Sequence, residues 1–251
     1  MSEGGGILLG AVLEGPSDRR TICGLVDRLL VEATWMRECS EYMDDVRTWL
    51  GLEGAVFLAW KDVARAARGR VPPRHGHFAG EPGVEDARNA VLALRLFQTL
   101  PRRPDAVVLA RDSDGRPEER RKGLEQARQD ALWPFAVVLG VAHHNREAWV
   151  LAGFEPGGEE ADGLEEERKA LGFYPNREPN RLDAQDENAL RSAKRVLAKL
   201  TGGRQDREER CWTETSLETL KARGAEAGLG RFIDEVLTRL VPAMNGRRTD
   251  P

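Results

Sequence analysis

The stretch that most constrains this fold runs from Ala106 to Gly115 and reads AVVLARDSDG. Its apolar part has the composition of a buried strand in a parallel sheet, and it stops abruptly in turn residues. Asp112 and Asp114 lie two apart, so on an extended backbone their side chains point the same way. Two like charges on one side repel unless a cation or a proton lies between them. In open α/β sheets the carboxyl ends of the strands are where ligands bind. The simplest alternative is a strand followed by an Asp-Gly turn with solvated acids.

Three other short apolar runs share this pattern. Ile7 to Leu13 (ILLGAVL) ends in Glu14-Gly15-Pro16-Ser17-Asp18, a tight turn into a helix with Ser17 as its expected N-cap. Leu25, Val26, Leu29 and Leu30 give that helix an apolar stripe. Ala55 to Trp60 (AVFLAW) is a second candidate strand, and Ala136 to Ala142 (AVVLGVA) a fourth. The last runs into His143-His144-Asn145-Arg146-Glu147, where Asn145 is expected to cap a helix with Glu147 in its first turn. Helical periodicity covers Val84 to Leu100 and Pro117 to Ala131. Trp35 to Leu52 reads as another amphipathic helix or an irregular excursion. Strand and helix therefore alternate, which implies right-handed crossovers and an α/β fold: an open parallel sheet of about four strands flanked by helices. All strands then end on one edge. Glu14, Asp112, Asp114 and Glu147 gather along it from distant parts of the chain, with Asp18 in the first helical turn just beyond Glu14.

Beyond Gly153 the character changes. An acidic run, Glu155 to Glu167, leads to a proline-containing surface loop with one short helix. Asp186 to Leu200 is expected to be helical, Gly202 to Arg210 a polar linker, and Cys211 to Met244 helical again. The expected organisation is an α/β domain over residues 1–153, with insertions near 35–52 and 61–83, and a loop-rich, helical region over 154–251.

Composition limits the partners. The net charge of −4 gives no global basic field toward nucleic acid, so contact with a phosphate backbone needs a local patch. Lys61 to His77 supplies one, with Lys61, Arg65, Arg68, Arg70 and Arg74 against the single acid Asp62. Its alternative role is a solvated, arginine-rich surface. Arg111 and Arg116 flank the DSDG and stand ready either to meet a phosphate or to balance the acids. Cys23, Cys39 and Cys211 are widely spaced and form no CxxC pair, which fits a reducing, cytoplasmic setting. No apolar run approaches the ~18 residues of a membrane span. His75 and His77 flank Gly76 without a third ligand nearby, and His143 and His144 lie close to the acidic edge.

Clustered carboxylates are hard oxygen ligands that suit Mg²⁺ or Mn²⁺. The chain lacks GxxxxGK[ST], a GxGxxG after its first strand, and GxSxG. EGxxD after a first strand, DxDG after a later one and an acid after the next together resemble the Toprim domain. That family includes topoisomerases, bacterial primases, recombination mediators, ribonuclease maturases and nucleases of the overcoming-lysogenisation-defect type. The matching residues are Glu14, Gly15 and Asp18, then Asp112, Asp114 and Gly115. Glu147 is similar to the last acid of small Toprim-like proteins that accompany ATPases in bacterial anti-phage loci.

The resemblance spans about Ile7 to Gly153 and implies a Toprim-like, Rossmann-like sheet. It implies Glu14 as metal ligand or general base, Asp112 and Asp114 as Mg²⁺ ligands, and Asp18 and Glu147 completing the cluster. The implied activity is a Mg²⁺- or Mn²⁺-dependent nuclease, the effector of anti-phage defence or DNA processing, with an ATPase partner. The alternative is a non-catalytic Toprim-like subunit of an ATPase complex. Tyr42 and Tyr174 are the only tyrosines, and no strand-passage domain fits this length, so topoisomerase chemistry has little support.

Overall fold

The computed structural model describes residues 6–78 and 81–246. Its strands are β1 (Ile7–Leu13), β2 (Arg47–Leu50), β3 (Leu58–Ala59), β4 (His77–Phe78), β5 (Glu81–Pro82), β6 (Ala106–Asp112) and β7 (Ala136–Ala142). Its α-helices are α1 (Pro16–Asp18), α2 (Gly24–Ala33), α3 (Met43–Val46), α4 (Trp60–Ala67), α5 (Glu85–Gln98), α6 (Pro117–Gln129) and α7 (Arg146–Ala152), followed by α8 (Glu160–Leu171), α9 (Ala193–Thr201), α10 (Gln205–Thr213), α11 (Leu217–Arg223), α12 (Leu229–Glu235) and α13 (Val241–Asn245).

The main sheet is parallel throughout, in the order β2-β1-β6-β7. β3 also pairs with β1, further along the flank that β2 occupies. The fold is thus α/β with an open parallel sheet, as the alternation of runs implied. The chain moves outward from β1 to β2 and β3, then crosses back to β6 and β7. The direction of winding therefore reverses between β1 and β6, and that switch point is where such sheets form a crevice at their carboxyl ends.

Every residue from Ala106 to Ala110 is buried. Along β6, Ala106, Val108 and Ala110 belong to one core, while Val107 and Leu109 belong to the other, as period-two alternation requires. The second core is built with α4, α5 and α6. The first takes in α2, α7 and the helices after Gly153, and Trp149 stacks on Phe232 with ring centroids 5.0 Å apart. Residues on both sides of Gly153 thus share one apolar core.

Several local expectations are corrected. The first helix opens at Pro16 rather than after a Ser17 cap, because proline presets the backbone at the first helical position. Asp18 closes that turn by accepting the N–H of Gly15 at 2.8 Å. A π-helical turn, Arg19–Cys23, then leads into α2. Residues 47–50 are a strand, neither part of an amphipathic helix nor an irregular excursion. Buried Arg47 and Trp49 both bond Asp27 of α2, so a strand position disguised by a charged residue is satisfied. Of Ala55 to Trp60, only Leu58 and Ala59 pair with β1, and Trp60 already begins α4. Residues 205–213 form helix α10 rather than a linker, with Arg207, Cys211 and Trp212 buried. Residues 154–183 hold the 12-residue α8 and buried Phe154, Phe173, Asn176 and Leu182, so they are not a surface loop. Residues 186–192 are irregular, and α9 starts only at Ala193. Among the described residues no helix is long and apolar enough to cross a membrane.

Candidate functional site

Glu14 follows β1, Asp112 ends β6, and Glu147 lies in the first turn of α7 after β7. The DSDG turn is fixed to the end of β7. The N–H of Ser113 donates to the carbonyls of Ala142 (2.8 Å) and His144 (3.1 Å), and the N–H of Asp114 donates to His144 (3.3 Å). Asp114 adopts φ +47° and Gly115 φ +81°. Both lie in the left-handed region, which an Asp tolerates and a Gly adopts freely.

The acids sense one another. Burial, followed by the charges of Asp18, Glu147 and Glu14, pushes Asp112 up to about 8. The main-chain N–H of Arg146 opposes this by donating to Asp112 Oδ1 at 3.0 Å. Burial also raises Glu14, helped by Asp18 and Asp114 and opposed by Arg111. Asp18 is raised for the same first reason, with Arg146 and the Gly15 N–H acting against it.

Arginines occupy the spaces between these carboxylates. Arg111 Nε lies 3.2 Å from Glu14 Oε1. Arg120 Nη2 donates to Asp114 Oδ2 at 3.0 Å. Arg146, 5% exposed, bonds Thr21 (3.1 Å), Glu147 (2.9 Å) and Glu208 (3.1 Å), with Asp18 at 3.8 Å. Burial alone would weaken its charge, but Glu147, Glu208 and Asp18 hold its pKa above the usual value. The π-helical turn of Arg19–Cys23 is what carries Thr21 to this guanidinium. On the other side of the sheet edge, buried Asp86 of α5 accepts from both Arg111 and Arg120. Trp60 lies 5.2 Å under the Arg111 guanidinium and donates its indole N–H to the carbonyl of Ala110 at 2.7 Å.

A cleft of about 300 Å³ opens over the edge, with Asp112, Asp114 and His144 on one wall and Gln185, Ser192 and Lys194 on the other. Its second wall is the irregular segment ahead of α9. Lys194 is held charged first by its bond to Glu187 and then by Glu147 and Asp112. The His144 ring lies against that of His143, tilted by 39° with centroids 4.3 Å apart, and His143 is lowered by burial and then by His144. A larger cavity of about 580 Å³ lies beyond β7, beside Arg121, Lys221 and Arg231. There Lys221 pairs with Asp234 and Arg231 with Glu118, so its cations are balanced locally.

The basic stretch is less unified than its sequence suggests. Arg65 pairs with Asp62 and Arg70 with Glu53. Arg74 clasps the nearly buried Asp130 at 2.8 Å and covers the Phe78 ring, so it braces the fold. Lys61 and Arg68 are exposed at the two ends of α4. Arg116 is half-exposed, 3.5 Å from Glu119. His75 is exposed on the loop ahead of β4 and His77 is exposed on β4.

The five candidate carboxylates thus reach one edge, while the arginines of residues 61–74 disperse. Sequence reasoning missed Asp86, Arg120, Arg146, Lys194 and Trp60. Asp86 had only the signal of a first-turn helix acid, and Arg120 that of one arginine among several on a charged helix. The oxygen donors suit a hard divalent cation, and no salt bridge among the described residues reaches Asp112. Among the described residues, however, no three His, Cys, Asp or Glu are grouped to hold a metal. No protein-family model, curated protein or solved structure matches the chain.

Proposed function

We propose that this protein is a Mg²⁺- or Mn²⁺-dependent nuclease of Toprim type. The observation that carries the reading is Asp112. It ends a central strand at the switch point, and burial, followed by the charges of Asp18, Glu147 and Glu14 from two other strand ends, raises its proton affinity to about 8. Such an excess of negative charge is relieved by a cation. Glu14, Asp18, Asp112, Asp114 and Glu147 would hold it. When bound, Mg²⁺ or Mn²⁺ supplies electrostatic stabilisation of a phosphoryl group and acidifies water.

The chain's own residues do the rest. Arg111 stands beside Glu14 for the phosphate, and Lys194 faces the acids across the cleft. Exposed Lys61, Arg68 and Arg116 meet the flanking backbone of a DNA or RNA strand. Glu14, the least enclosed of the acids beside β1, is placed to orient water. The order of the EGxxD, DxDG and Glu147 motifs supports the same reading, and action in anti-phage defence beside an ATPase belongs to it.

The arginines that pair Glu14, Asp114 and Glu147 favour a second reading, a non-catalytic Toprim-like subunit docked on an ATPase. Plasmid DNA and tRNA incubated with Mg²⁺, Mn²⁺ or EDTA separate the two. Cleavage is expected only with metal, and Asp112→Ala is expected to lower it at least about a hundredfold. Cleavage that survives EDTA or that substitution defeats the nuclease reading. Silence in every lane, with purified ATPase partner present, supports the subunit.

A further inference from the structure

We infer that Arg111 and Arg120, both seated on buried Asp86, form the phosphodiester-binding pair of this site and latch Glu14 and Asp114 until a phosphate draws them off. The inference rests on the nuclease reading and adds to it a phosphate site and a coupling between phosphate and metal.

The inner ends of the two guanidiniums are fixed. Asp86 has a side chain only 4% exposed, and Arg120 Nη1 reaches both its oxygens, at 2.8 and 3.0 Å. Arg111 Nη1 bonds the same Oδ1. Trp60, itself pinned to the carbonyl of Ala110, holds the plane of Arg111 from below. One carboxylate cannot balance two cations, so the pair retains a surplus positive charge that needs a second anion.

The outer ends are held differently. Arg120 reaches Asp114, whose side chain is 61% exposed, and Arg111 reaches Glu14, whose side chain is 34% exposed. Water competes for both acids, so these are the weak links. The Nε of Arg120 is buried without a hydrogen-bond acceptor among the described residues, and the buried Nε of Arg111 has its ion-pair contact with Glu14 at 3.2 Å but no hydrogen bond there. A guanidinium is a planar fork of five donors that suits a phosphate oxyanion at least as well as a carboxylate. A phosphodiester entering above Glu14 and Asp114 therefore substitutes for them on the arginines. The freed carboxylates then face Asp112 as hard oxygen donors. In the latched arrangement they do not form a metal-ligand group, in agreement with the described structure. Linkage is reciprocal: a phosphate that frees the carboxylates must tighten cation binding, and a cation must tighten phosphate binding by the same factor.

The test is Mn²⁺ binding followed by electron paramagnetic resonance. The full-length protein is titrated alone and with a cleavage-resistant phosphorothioate oligonucleotide. In the wild type the oligonucleotide is expected to tighten Mn²⁺ binding by about fivefold or more. Arg120→Gln and Arg111→Gln are expected to bind Mn²⁺ alone more tightly than the wild type, and to lose the coupling. A merely structural role for these arginines predicts the opposite, weaker Mn²⁺ binding.

Arg111→Lys and Arg120→Lys keep a buried cation on Asp86 but lose the fork. They are expected to fold and to show reduced coupling, which covers the case that the Gln variants fail to fold. Arg210→Gln, on an exposed pair with Glu214, serves as the control and should match the wild type. Folded variants that bind Mn²⁺ no more tightly than the wild type and keep its coupling overturn the inference. A wild-type protein that binds no Mn²⁺ with or without oligonucleotide overturns the metal reading beneath it, a distinct result.

Discussion

Asp112 stores the conflict on which this site depends. In the unfolded chain an aspartate titrates near pH ~3.9, whereas in the fold burial and then three neighbouring carboxylates push Asp112 up to about 8. The native state therefore binds the proton more tightly than the unfolded state between those values. The stability this proton confers is complete below about pH 4 and is lost as pH rises through about 8. In metal-free protein, melting temperatures from pH 5 to pH 8.5 should fall, and Asp112→Asn should flatten that slope. The substitution should also raise stability at pH 8 by on the order of a few kcal/mol, because it removes a buried charge among like charges. A wild-type melting temperature that rises over this range, or a variant that follows the wild-type slope, contradicts this account. Asp112 and Glu14 were legible in the sequence because an apolar run ending in acid places them at a strand's carboxyl end. Arg146, Asp86 and Arg120 were not. Their meaning lies in partners such as Thr21, Glu208 and Asp114, which the fold brings near and no spacing announces.

At the scale of elements, the uniformly apolar strands were the easy ones. β6 as far as Ala110 and β7 are buried on both faces, so these sequences are continuous apolar runs. β2 was hidden because one of its inward residues is Arg47, made acceptable only by Asp27 on α2. Helix α12 was visible as a periodicity, but its task was not: it closes the free edge of β7. The N–H of His143 donates to the carbonyl of Ala227 at 3.0 Å, and that of Leu139 reaches Glu235 at 3.4 Å. Covering an edge in this way prevents pairing with another chain. The approach depends on Gly228, which has φ +84°; a Cβ there would lie 2.3 Å from the carbonyl oxygen of Val141. Gly228→Ala should therefore cost on the order of 2–4 kcal/mol and speed hydrogen exchange along β7 before β1. Denaturant unfolding with exchange mass spectrometry reads both, and a neutral substitution would mean α12 does not seat against β7 as described.

The whole molecule ties the acidic edge to the residues after Gly153 in two ways. The first is packing. Phe154, Phe173, Val196, Phe232 and Leu240 lie in the same core as Leu9, Val108 and Trp149, so one face of the sheet, covered otherwise by α2 and α7, loses a large part of its cover without them. The second is electrostatic. Glu208 of α10 is a partner of the buried Arg146, and Lys194 forms a wall of the cleft over Asp112 and Asp114. The sequence suggested a change of character near residue 153, and composition does change there: the acidic run begins. Composition cannot reveal which helices cover which sheet face, since that follows from long-range packing. A chain ending at residue 153 would expose that apolar face to water and leave Arg146 without Glu208, a loss of burial that a small sheet cannot offset. Such a fragment should show retained far-ultraviolet but collapsed near-ultraviolet circular dichroism, strong binding of a hydrophobic dye and no cooperative melt. The full chain should melt in one transition. A fragment with a sharp melt and a native near-ultraviolet spectrum would show that the sheet's acidic edge is held without the C-terminal helices, and Lys194 and Glu208 would then be additions to a self-sufficient site.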